Sequence, residues 1–127
     1  MSFSTDIKHV MTNDPSLNAW CTGGIYFENL PENFELTKYW IVYSFNKVSQ
    51  TNCLDSNAAF TQYVITLKII GTDTIQVESI NDKIVNYLNG IEYNGIKDIL
   101  FVGDNHTLDL EKNIYMNTLT FNSLFVW

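Results

Sequence analysis

Residues 60–90, FTQYVITLKIIGTDTIQVESINDKIVNYLNG, change hydrophobic period halfway along. Over residues 60–71, Tyr63, Ile65, Leu67 and Ile69 point one way, and Gln62, Thr66 and Lys68 point the other. A period of two is that of a strand with one buried face. After the junction, Val77, Ile80, Ile84, Tyr87 and Leu88 recur at helical spacing and make one apolar stripe. Asp73 with Gln76 three residues on fits a capping box, and Asn89-Gly90 supplies the stop. Ile75 and Val85 fall off the stripe, which predicts contact with another element or a neighbouring subunit. The plan is therefore strands, one main helix, then strands again.

Upstream, KYWIVYSFN (38–46) places Tyr39, Ile41, Tyr43 and Phe45 on one face and Trp40, Val42 and Ser44 on the other. Both faces are largely apolar, which predicts a central strand. Pairing with residues 60–71 makes a long hairpin whose tip is the polar segment 46–57, a surface loop or a contact arm. Further upstream, Phe3, Ile7, Val10 and Met11 predict a short helix over 4–12 capped by Ser4 or Thr5. Asp14-Pro15 starts a second helix, with Leu17 and Trp20 facing the core and Gly23 left-handed at its end. GIYFENL reads as a short strand leading into the turn PEN.

Downstream, Asn94-Gly95 is a tight-turn signal, residues 96–102 form a strand, and GDNHTLDLEKN is an acidic loop. Residues 114–127 make a long last strand, with Tyr115, Leu119, Phe121 and Phe125 on one face and Met116, Thr118, Thr120 and Asn122 on the other. No repeat, low-complexity stretch or linker interrupts residues 1–127. The expected fold is one α+β domain: a mainly antiparallel sheet with a long hairpin, the main amphipathic helix and a short N-terminal helix on one face.

The 127 residues carry a formal net charge of -7, with seven Lys and no Arg. Arg supplies the bidentate fork for phosphates and guanine edges, and the lysines are scattered from Lys8 to Lys112. Tight nucleic-acid binding by counterion release is not expected. The same balance argues against base stacking by Tyr39, Trp40, Tyr43 and Phe45, which read instead as core and subunit interface. No run reaches the roughly 20 apolar residues of a membrane helix, and the N-terminal residues do not read as a signal peptide. Cys21 and Cys53 have neither scaffold nor metal-ligand spacing, so two reduced thiols in a cytosolic compartment are expected.

Chemistry is sparse. The GxGxxG, Walker, HExxH, GxSxG and CxxC motifs are absent. CTGG follows a helix and precedes no helix, so Gly23 and Gly24 read as a helix stop and an extended residue. His106 lies near Asp104 and Asp109, with Glu111 beyond, and imitates a catalytic or hard-cation site. The spacing fits no EF-hand, and the segment reads as a solvated turn. No enzyme activity, cofactor or metal is expected.

The order and spacing of IKHVMTNDPSLNAWCTGGIYFENLPEN, YWIVYSF, IQVESINDKIVNYLNG and YMNTLTFNSLFVW resemble the tail-terminator, or tail-completion, proteins of long-tailed bacteriophages. The resemblance spans nearly the whole chain and rests on no chemical motif. It implies a virion protein made in the host cytoplasm and placed at the tail-neck junction. Such a subunit would form a homohexameric ring that caps the tail-tube protein and docks to a neck or connector protein. DNA would pass through its lumen without specific binding. An acidic, Arg-free lumen would repel phosphate. The subunit or partner contacts are expected at the polar tip, around Lys47, Gln50, Asn52 and Asp55, and second at Asp104, Asp109 and Glu111. The alternatives are another neck or head-completion protein, a monomeric small-ligand-binding α+β domain, and last an enzyme using Cys53 or His106.

Overall fold

The computed structural model describes residues 2–13, 15–30, 38–52, 59–109 and 114–126. In chain order its elements are α1 (Phe3–Thr12), α2 (Pro15–Trp20), β1 (Gly24–Phe27), β2 (Trp40–Asn52), β3 (Ala59–Gly71), α3 (Thr74–Leu88), β4 (Ile96–Asp109) and β5 (Ile114–Val126). One five-stranded sheet has the order β1-β2-β3-β5-β4. The pairs β2-β3, β3-β5 and β5-β4 are antiparallel, and β1 alone lies parallel to its neighbour β2. The long hairpin is β2-β3, with Trp40 opposite Ile70 and Asn52 opposite Ala59.

The helices pack on one face over a single core. Ile41 and Tyr43 of β2, Ile65, Leu67 and Ile69 of β3, and Leu119, Phe121 and Phe125 of β5 are buried there. They meet the α3 stripe of Val77, Ile80, Ile84 and Leu88 and the α1 row of Phe3, Ile7, Val10 and Met11. Phe3 anchors α1 by stacking on Tyr63, with ring centroids 3.8 Å apart, and by edge contacts to Phe45 and Phe125. Asp73 caps α3 by accepting from the backbone N–H groups of Ile75 and Gln76. Val85 packs against the core, whereas Ile75 stands 78% exposed.

A second, smaller cluster covers part of the opposite face. Trp40, Val42, Ile70 and Ile114 are buried with Tyr26, Leu30 and Met116 packed around them. This accounts for the two-sided apolar pattern of residues 38–46. The remainder of that face carries Ser44, Thr66, Thr118, Thr120 and Asn122, all half-buried. A buried polar tie joins helix to sheet, where the Asn117 side-chain amide donates to Asn81 Oδ1. Among the described residues Asn117 Oδ1 and Ser123 Oγ have no hydrogen-bond partner.

Four boundaries differ from the sequence expectation. The cap of α1 is Ser2, whose hydroxyl accepts from the Thr5 N–H; Ser4 and Thr5 lie inside the helix. The left-handed glycine after α2 is Gly24, at φ +120°, not Gly23. Gly23 instead lies under the Trp40 indole, where a Cβ would run into the ring. The segment expected as an acidic loop is the second half of β4, which continues to Asp109 instead of ending at residue 102. Pairing with β5 through Asp109 opposite Ile114 overrides its polar composition. Similarly, β2 runs to Asn52, so half of the expected polar tip is strand. Asp14, the PEN turn and residues 53–58 lie outside the described residues.

Candidate functional site

Register places the two expected contact segments at opposite ends of the sheet. Lys47 pairs with Tyr63, Gln50 with Thr61 and Asn52 with Ala59, at the end where Phe60 meets Val126. Asp104 pairs with Leu119 and Asp109 with Ile114, towards the end where Gly71 meets Tyr115. At about 3.3 Å per residue the 13-residue β5 spans about 40 Å, which separates Asn52 from Asp109, whereas Lys47, level with Ser123 of β5, and Asp104, level with Leu119, lie only about 13 Å apart along the strand direction. The segments therefore form two sites. Lys47 and Asp104 are exposed; Asp55 and Glu111 lie outside the described residues.

His106 has a defined setting on β4. Its Nδ1 lies 2.6 Å from the Tyr115 hydroxyl, and its Nε2 lies 3.6 Å from Asp104 Oδ2. Desolvation, then the nearby Glu78 and Asp104 carboxylates, push the Tyr115 phenol above its ordinary range. This string of polar groups links β4, β5 and α3. No nucleophile joins it: Cys21 is buried beneath the helices, where desolvation pushes its thiol up to about 12. Cys53 lies outside the described residues. His9 is committed at the surface, stacked on Tyr93 at 4.3 Å and 2.6 Å from Asn13 Nδ2. Among the described residues, no three His, Cys, Asp or Glu side chains converge as a metal site.

The hollows are shallow and open. One of about 220 Å³ lies beside His9 and Tyr93. Another of about 370 Å³ runs between α3 and β4, lined by Asn81, Asp82, Val85, Asn86, Phe101 and Asp104. Neither pairs a nucleophile with a base.

The strand expected at 96–102 is present as the first half of β4, and what sequence reasoning missed is its continuation to Asp109 and the apolar side chains it leaves exposed. It carries exposed apolar side chains at Leu100 (53%), Phe101 (37%), Val102 (57%) and Leu108 (50%). The run ILFV at 99–102 held the signal: alternation alone would expose two of the four, and the register shifts around them leave three exposed. Two register shifts, between Lys97 and Leu100 and between Phe101 and Gly103, twist this strand, and Asp98 takes φ +53° at the first.

No protein-family model and no curated protein matches the sequence. Among solved structures, the chain is similar to a chain in the virion of a native gene transfer agent (GTA) particle. The TM-score is 0.71 at 12% identity, with 99% of this chain and 96% of that one covered. At that identity the likeness is one of fold, and it extends over nearly the entire length of both chains.

Proposed function

We propose that this chain is a structural virion protein of a phage-like particle, and specifically a tail terminator that forms a ring between tail tube and neck. The observation that carries the reading is the end-to-end fold likeness to a chain of the gene transfer agent virion. A subunit that joins two different structures needs two separated contact surfaces. The hairpin tip at Asn52 and the end of β4 at Asp109, about 40 Å apart, supply them. Heterologous contacts between identical subunits close into a ring when the rotation closes. The Arg-free, acidic composition favours a lumen that lets DNA slide past. The reading assigns the chain no catalytic role.

Native mass spectrometry of the protein, alone and with the tail-tube protein of its particle, tests this. A hexamer of the 14.6 kDa chain, free or seated on tube protein, is expected. A monomer at every concentration, with tube protein present, would overturn it. A ring that forms on connector protein and never on tube protein would assign the chain to the neck or head-completion class.

A further inference from the structure

Among the described residues, the outer strand β4 is covered along its first half and uncovered along its second. Over its first turns the outward backbone of β4 is occupied by the chain leaving α3. Gly90 N donates to Ile99 O at 2.7 Å, Ile99 N to Ile91 O at 3.5 Å, and Phe101 N to Asn89 Oδ1 at 3.1 Å. From Val102 to Leu108, no hydrogen bond reaches the outward backbone from any other described residue. A bare strand edge is a template for one more strand. Side chains around it are graspable: Val102 and Leu108 are exposed apolar residues, and Phe101 stands at the mouth of the 370 Å³ groove against α3.

Charge selects the occupant. Asp104 on β4 and Glu78 and Asp82 on α3 lie on the helix side of the edge, all exposed. Lys97, at the covered end, is the single lysine of β4, and Lys83 of α3 is drawn to the Trp20 ring at 5.7 Å. A second copy brings no complement. Its other outer strand, Gly24–Phe27, has no cation, its own β4 is acidic, and each chain carries -7. We propose that the Val102–Leu108 edge of β4 receives an extended segment of a partner protein in which Lys or Arg alternates with apolar residues. The segment adds as a sixth strand. On the helix side its cationic side chains enter the groove between Asp82 and Asp104, beside the row Phe101, Asp104, His106 and Leu108 that continues the core face. There they meet the Asp104 carboxylate that His106 Nε2 approaches at 3.6 Å. The inference does not depend on the ring: it concerns the single subunit.

The test uses the full chain, isotopically labelled, and three capped eight-residue peptides. One alternates Val and Lys, one replaces Lys by Glu, and one keeps Lys but is N-methylated at alternate amides. The Val-Lys peptide is expected to shift and protect the amides of residues 102–108. Binding should weaken at least tenfold on N-methylation, at least tenfold in the surface variant D82N/D104N, and at least as much for the Glu peptide. It should also weaken as salt rises, because the charges are exposed. Amide spectra of D82N/D104N that match the parent away from the site establish that the variant is folded. Equal binding of the N-methylated peptide would overturn strand addition, and equal binding of the Glu peptide would overturn the charge argument. Self-association of the protein through residues 102–108, or no shift at those amides with the Val-Lys peptide, would overturn the proposal altogether.

Discussion

Gly24 and Cys21 show how single residues hold the connector between α2 and the sheet. Gly24 adopts φ +120°, which an L side chain rarely takes, and directs the chain into β1 beside Trp40. Gly24→Ala should lower unfolding free energy by more than about 1 kcal/mol in urea titrations. Gly23→Ala should also destabilise, for a different reason, because its Cβ meets the Trp40 ring. Cys21 gives a pH signature. Burial raises its thiol from 9.0 to about 12 in the folded chain, so the protonated form is the one the fold holds. Its contribution is whole below pH 9.0, where both states stay protonated, and falls as pH rises towards 12, where the unfolded thiol ionises first. Denaturation series across that window should show a shallower loss in Cys21→Ala than in the parent. At pH 8 a thiol reagent, followed residue by residue in the mass spectrometer, should label Cys21 only on unfolding.

At the scale of elements, α1 is held by one side chain more than by its own propensity. Phe3 touches Tyr63, Phe45 and Phe125 on three rings of the sheet. Phe3→Ala should cost about 3–5 kcal/mol and release α1 amides to hydrogen exchange before those of β3 and β5. Asp73→Ala, which removes the α3 cap, should cost about 1 kcal/mol. The elements legible in sequence were those with strong periodicity. The alternation from Tyr63 to Ile69 and the stripe from Val77 to Leu88 both describe what is buried. The second half of β4 was illegible because GDNHTLD has no buried face to set a period: residues 104–108 are all exposed, and pairing with β5 alone makes them a strand. The parallel placement of β1 was illegible too, since four residues carry no information about which neighbour they join. At the candidate site, the sequence indicated the acidic residue Asp104 but not its surroundings. The groove against Asp82 exists only once α3 lies beside β4.

At the scale of the whole molecule, the long sheet is both scaffold and spacer. The hairpin tip at Asn52 and the end of β4 at Asp109 lie about 40 Å apart, and the edge from Val102 to Leu108, which no other described residue covers, is the proposed site for a partner strand. Charge makes the two kinds of association separable. Subunits that each carry -7 repel, so ring formation should strengthen as salt rises from about 50 to about 500 mM. Capture of a basic strand on β4 should weaken over the same range. Sedimentation and peptide titration in matched buffers check the opposite signs. Electron microscopy of intact particles, with the protein marked by a specific antibody fragment, tests the central claim most directly. The account predicts a ring of label at the top of the tail, where tube meets neck. Label absent from the particle, or confined to the head shell or the distal tail, would contradict it.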